Sequence, residues 1–312
     1  MWFNQATAYM VPEGYALTNE LEDWEEAITN SKFKHCAGLD WSSRGFVPQP
    51  FNGDNHVWNV ADTWNLLHRK EERVLPAKVV EEKLRERIAK INNEESRAVG
   101  RKERMELKEV IVDDLLPRAL LQSSYLELSF DTQSGFIFTN IANDTRSTQL
   151  LSDTRIALKG LPATLISTNT SPSAMMTSWL LNNEAAGNFE LDSDCVMCGV
   201  GNDAAKVKIT SQDLTSQMVT AHAESGKVVT ELGLIWNDQV TFVLTENLTL
   251  KKVNFGSVLR DDAANQGDDM ESLACAIRTI TTQTLSLIFA ELIEHLGGIY
   301  KHEPESESND NE

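Results

Sequence analysis

Residues 68–90 read HRKEERVLPAKVVEEKLRERIAK, and the break inside this stretch decides the architecture. Up to Val74 it continues the preceding HVWNVADTWNLL, which suggests a strand pair. Pro76 then suits a first helical position, where its missing N–H would have no partner anyway. Beyond it Ala77, Val80, Leu84, Ile88 and Ile91 follow at spacings of 3, 4, 4 and 3, one apolar stripe of an α-helix. Glu81 with Arg85 and Glu86 with Lys90 are i, i+4 pairs in the favourable order. Gly100 closes a polar turn, a second helix runs over about 101–116, and Pro117 ends it. A strand pair thus leads into a helical hairpin with a charged outer surface.

Positive charge collects in the same region. Residues 68–110 hold 13 Lys and Arg against 10 acids, whereas the whole 312-residue chain has a formal net charge of −19. Such a total opposes contact with phosphates, but the rule concerns the contact surface and not the sum. Hydrophobic content of 41% and charged content of 24% fit an ordinary globular chain, long enough for two domains or one large one. No uninterrupted apolar run approaches the roughly 18–20 residues needed to span a bilayer. The start MWFNQATAYMVPEGY shows no signal peptide, so a cytoplasmic protein without membrane contact is expected.

On either side of the hairpin the elements alternate. The first ten residues suggest a strand, and TNELEDWEEAITNSKF an acidic amphipathic helix capped by Thr18 or Asn19. SYLELSFDTQSGFIFTNI suggests a β-hairpin, followed by a helix over about 144–159, a short strand and a helix ending near Leu181. Irregular segments are expected up to residue 210. Residues 227–255 form an antiparallel meander with turns at Asn237-Asp238 and Glu246-Asn247, and a long helix from about Met270 ends at Gly297-Gly298. The tail EPESESNDNE holds five acids and no base, a composition of disorder.

Chemical motifs are sparse. Cys195 and Cys198 form a C-x-x-C in an apolar stretch, without the second pair or His ligands of a zinc site. Gly226-Lys227 lacks the upstream Gly and the following Ser or Thr of a phosphate loop, and Gly226 closes a helix where that loop opens one. Asp113-Asp114, Asp261-Asp262 and Asp268-Asp269 are the carboxylate pairs that a metal-dependent nuclease would need, but adjacent carboxylates on a helix diverge. No Ser nucleophile elbow or His triad is visible. No enzyme activity, cofactor or metal is expected.

Two long blocks carry more than periodicity. RKEERVLPAKVVEEKLRERIAKI (residues 69–91), with LLPRALLQSSY (residues 115–125), resembles the recombination-associated RdgC family. QDLTSQMVTAHAESGKVVTELGLIW (residues 212–236), with LKKVNFGSVLRD after it, resembles a second block of the same family, and RGFVPQP and LIEHLGG are similar to further landmarks. The resemblance covers residues 1–298, most weakly over 160–205. It implies an α/β (α+β) chain of several lobes with antiparallel sheets, closing as a ring-shaped homodimer around duplex DNA. The lobes are expected at 1–75 with 118–210, at 76–117 for the protruding hairpin and at 211–298, with a disordered acidic tail at 299–312.

The implied activity is sequence-nonspecific DNA binding that restrains RecA-dependent recombination, in a cytoplasmic, nucleoid-associated protein. Double-stranded DNA is the expected partner, with single-stranded DNA a further candidate. The alternatives are a metal-dependent exonuclease and an acidic module that binds the recombinase directly. An acidic ring with a basic lining reconciles −19 with DNA. Lys206, Lys208, Lys227, Lys251 and Lys252 are the candidates for that lining, with Ser211 and Gln212. Adjacent Lys251 and Lys252 should point to opposite faces of a strand, so at most one is expected to face DNA. In the family a Lys commonly precedes the Gln, where this chain has Ser211. An aromatic residue often stands where this chain has Leu120, which with Arg118 is expected near a dimer contact. A structural reading competes: Leu120 as core, and Gln212 as the cap of the helix that follows it.

Overall fold

In a computed structural model, which describes residues 1–12, 15, 20–199, 201 and 205–300, the chain begins with β1 (Ala6–Met10) and α1 (Leu21–Asn30). β2 (Ser42–Val47), β3 (Val57–Val60) and the long β4 (Thr63–Val74) lead into the hairpin helices α2 (Ala77–Glu95) and α3 (Arg101–Leu115). One 3-10 turn (Leu116–Arg118) returns the chain to β5 (Leu120–Asp131) and β6 (Phe136–Thr139). α4 (Asp144–Ala157), β7 (Thr164–Leu165) and α5 (Pro172–Asn182) follow. β8 (Phe189–Cys198), β9 (Lys206–Ile209) and α6 (Gln217–Glu224) precede the meander β10 (Val228–Trp236), β11 (Val240–Thr245) and β12 (Thr249–Phe255). α7 (Ser257–Gln266) and α8 (Met270–His295) close the fold.

The mixed α/β architecture is as expected, but the separate antiparallel sheets are one. Twelve strands run in the order β2-β4-β5-β6-β1-β12-β11-β10-β8-β9, with β3 also beside β4 and β7 beside β1. β1 joins the halves, pairing β6 through Thr7–Met10 and β12 through Ala6 and Thr7. Residues 182–210, expected to be irregular, supply β8 and β9 and so complete one edge. Thr18 and Asn19, the expected caps of α1, lie outside the described residues, as do residues 301–312 of the acidic tail. Ile299 and Tyr300 are held by pairing with Thr168 and Ser167.

Alternation along the strands feeds two cores. Ala6, Ala8, Phe136 and Phe138 join Leu232, Leu234, Phe242 and Leu250 against Leu285, Ile288, Phe289 and Leu292 of α8. Tyr9, Val11 and Ile137, with Phe46, Leu66 and Leu128, pack on the other side against Trp24 and Ile28 of α1 and Leu150 and Leu151 of α4. The face carrying α8 and the face carrying α1 and α4 are thus distinct. α8 is long and apolar enough to cross a membrane by length and composition, unlike any uninterrupted apolar run. Its buried stripe is occupied by the sheet.

The hairpin forms as expected. Val80 and Leu84 are buried, while α3 buries none of its residues. Glu81 does not pair with Arg85. It reaches across to Arg104 (3.3 Å) and Lys108 (3.0 Å), because α3 lies alongside and offers cations at better geometry. Arg97 likewise bonds Glu95 and Glu103. Much of the basic excess of this region is therefore neutralised within the hairpin.

One buried ion pair clamps α8 to the sheet. Arg278, 2% exposed, bonds Glu127 of β5 and Ser129 (3.2 Å), with its guanidinium 4.9 Å from the Phe3 ring centroid. Arg278→Ala leaves Glu127 as an unpaired, half-buried charge and is expected to cost about 3–5 kcal/mol. The double variant Arg278→Met/Glu127→Gln, which removes both charges, should recover most of that loss in urea midpoints.

Candidate nucleic-acid interface

Beyond α1 and α4, the face of the sheet opposite α8 is open, and strand parity decides what it presents. In β9, Val207 and Ile209 pack against the α8-side core, so Lys206 and Lys208 take the other face. Lys208 stands opposite Val196 and Lys206 opposite Cys198. In β10, Leu232 and Leu234 point to α8, which leaves Glu231 on the open face.

Lys251 and Lys252 break the expected alternation. β12 pairs Lys251 with Val243 and Asn254 with Thr241, so two residues of β12 face one of β11. This is a β-bulge, with Lys252 at φ 52°. Leu250 and Val253 both enter the α8-side core, and the two lysines between them both emerge on the open face. Lys251 Nζ lies 3.1 Å from Glu231, and Lys252 Nζ 2.6 Å from Asp194. The same Glu231 carboxylate acts on Lys252 through space. The expectation that only one of the pair could face a ligand is therefore overturned by the bulge.

Asp194 organises the site. One carboxylate oxygen accepts from Lys252 and the other from the Ser211 backbone N–H (3.3 Å). Both partners hold left-handed backbone, Ser211 at φ 54° and Lys252 at 52°, conformations that cost a non-glycine residue about 1 kcal/mol and persist where contacts fix them. The ammonium of Lys252 is the main cause that keeps the Asp194 carboxyl below its ordinary range, helped by Ser211 and Lys208. Asp194 therefore stays charged at neutral pH. Its pair with Lys252 is fully present above the ordinary carboxylate range and is lost as pH falls through the depressed value.

Ser211 and Gln212 are exposed and line a shallow groove of about 460 Å³ with Asp192, Ser193 and Asp213. The Gln212 N–H donates to the Ser193 carbonyl (3.2 Å), while Ser216 is the N-cap residue of α6, so Gln212 does not cap that helix. Lys227 is not gathered with the others. It lies in the turn between α6 and β10, after Gly226 at φ 92°, outside any strand ladder. Leu120 is 79% exposed and is not core. It stands opposite Val74 at the end of the β4–β5 ribbon. There Arg73 donates to the carbonyls of Asp40 and Leu116 and so holds the neighbouring loop and the 3-10 turn of Arg118. Leu39, Trp41 and Leu121 add exposed apolar surface nearby.

The carboxylate pairs do not converge. Asp113 and Asp114 are exposed on α3, Asp261 and Asp262 lie on α7, and Asp269 caps α8 by accepting from Ser272 N–H (2.7 Å). Among the described residues no group of three or more His, Cys, Asp or Glu is placed to hold a metal ion.

The fold is that of a mixed α/β protein, an antiparallel sheet with lysines on one face and a charged helical hairpin at one end. Residues 1–299 match the family model described as "Putative exonuclease, RdgC". The recombination-associated protein RdgC of Neisseria meningitidis serogroup C (strain 053442) is 42% identical over 303 residues, covering 96% of this chain and 99% of that protein. Those of Laribacter hongkongensis (strain HLHK9) and Pseudomonas syringae pv. syringae (strain B728a) are 39% and 33% identical over 96% of the chain, and over 99% and 98% of their own lengths. The chain belongs to the RdgC family.

Because Asp194 occupies Lys252, Asp194→Asn should free one cation on the open face. The variant is expected to elute from a heparin column at higher salt than the parent. Unchanged elution would place Lys252 outside the anion-binding surface.

Proposed function

We propose that this protein binds DNA with little sequence preference, as a homodimer that closes into a ring around the duplex and limits the access of a RecA-type recombinase to it. The observation that carries the reading is the convergence of Lys206, Lys208, Lys251 and Lys252 on one open sheet face, with Ser211 and Gln212 at its rim. Cations in a band suit phosphate contacts, which position a protein without reading sequence. The printed names of the relatives, recombination-associated proteins, agree with a role on DNA in recombination. The reading includes a nucleoid location and no catalytic step.

Acids share this face. Glu231 and Asp194 pair with two of the lysines, so phosphates must displace carboxylates to reach them. Ser211 offers a hydroxyl but no charge, and releases no counterion. Moderate affinity follows, with Lys206 and Lys208, which form no ion pair among the described residues, as the first contacts.

Ring closure is supported by apolar surface at the ribbon end, where Leu120, Val74, Trp41 and Leu121 are exposed together. Burying one leucine contributes about 1.5–3 kcal/mol, so Leu120→Ser is expected to weaken self-association about tenfold or more, read by light scattering over a dilution series.

The direct test is binding of a fluorescent duplex over a salt series with Mg²⁺ present, followed by a check of DNA length. A linear fall of log affinity with log salt, with intact DNA, is expected, and Lys206→Gln/Lys208→Gln should flatten it by about 0.9 for each phosphate no longer neutralised. No binding at low salt would overturn the reading and leave direct contact with the recombinase. Shortened DNA would replace it with a nuclease.

A further inference from the structure

A second cluster of cations lies on the same sheet face, at the opposite end from β9. Arg44 of β2 and Lys70 of β4 stand directly opposite each other in the ladder. Like charges in that position repel, a cost that an anion between them would remove. They line a pocket of about 440 Å³, closed on its far side by Arg146 and Gln149 of α4. Two acids temper the charge: Lys70 bonds Glu72, and Arg44 Nε lies 3.0 Å from Asp153. Arg146 is exposed and has no ion pair among the described residues, so the cluster keeps one uncompensated cation. At its base His68 is 3% exposed, and neither ring nitrogen makes a hydrogen bond, although Nε2 lies 3.2 Å from Asp153. Buried polar atoms without partners are uncommon in a finished protein surface and mark a place where a ligand or water completes the set.

α4, which closes the pocket, also touches the turn that leads into the lysines of β12. Asn247, in the turn between β11 and β12, donates to Asp144 in the first turn of α4 (3.1 Å). Arg146 follows two residues later on α4, and Lys251 and Lys252 follow the same turn into β12. Gln122 and Ser124 of β5, on the pocket wall, add neutral donors of the kind that accompany cations at phosphates.

We propose that this pocket holds a backbone phosphate of bound DNA, with Arg44, Lys70 and Arg146 as its charged contacts, so that the DNA path crosses α4 from β9 to β2. The assignment rests on the DNA-binding reading above and extends it to Arg44, Lys70 and Arg146, of which Arg146 lies outside every stretch that carries the family resemblance. A tetrahedral oxyanion suits the three cations better than a carboxylate, because its oxygens can face three directions at once.

The experiment uses the full chain and the same duplex salt series. Arg146→Gln and Lys70→Gln change exposed or partly exposed side chains, and thermal melting confirms that each variant is folded. Each variant is expected to flatten the slope of log affinity against log salt by about 0.9, and the pair by about twice that, while Arg146→Lys keeps the parental slope. Parental slopes in both glutamine variants, with the Lys206→Gln/Lys208→Gln protein still impaired, would overturn the pocket and leave DNA binding standing. No duplex binding by the unmodified chain would overturn both. Stabilisation by inorganic phosphate at constant ionic strength, abolished in Arg146→Gln while DNA slopes stay parental, would assign the pocket to a free anion and overturn its place on the DNA path.

Discussion

Five residues of β1 hold the molecule together. Their backbone bonds β6 on one side and β12 on the other, so among the described residues the strand ladder passes between the two halves of the sheet only through this strand. Alternation then turns one strand to two purposes. Ala6 and Ala8 are small enough to let α8 approach, while Tyr9 fills the opposite core and bonds Ser147 of α4 (2.8 Å). A polar substitution at Ala6 or Ala8 would therefore open the α8-side core, and one at Tyr9 the core under α1 and α4.

The open face depends on this arrangement. α1 and α4 cover one part of this face, and α5, α6 and α8 pack on the other side, so charged residues on β9, β12, β2 and β4 can share one surface although they are far apart in the chain. Asp194 and Asp153 play parallel parts there. Each carboxylate draws cations into place and holds part of their charge in reserve: Lys252 in one case, Arg44 in the other. A strongly acidic protein thus carries its cations in defined positions, and its net charge says little about that face.

Much of this was legible in the sequence. The hairpin, the meander and the final helix followed from apolar spacing, proline and glycine, since these signals are local. β8 and β9 were not, because FELDSDCVMC is interrupted by register shifts at Thr230 and Asp192–Asp194 that no residue pattern announces. The lysines of the site were found through the family blocks, but their grouping was misjudged at Lys251 and Lys252, where a bulge defeats parity. Lys227 stands apart from the other candidates, since proximity in sequence to β10 does not place it in the ladder. Arg44 and Arg146 were passed over because they sit in separate segments, and only the pairing of β2 with β4 and the docking of α4 bring them near Lys70.

The bulge at Lys252 also sets how densely a strand can be charged. A regular strand offers one same-face residue about every 6.6–6.8 Å, twice its rise per residue. By withdrawing one residue from the ladder, β12 carries two lysines at consecutive positions on one face, their Cα atoms a single step of about 3.8 Å apart. Each ammonium meets its own carboxylate, Glu231 of β10 or Asp194 of β8, so the doubled cations are matched by two acids of the same sheet. Deleting either residue would restore the pleat and leave a single lysine on the open face between Leu250 and Val253. The strand's irregularity thus sets how many lysines the open face carries at this point.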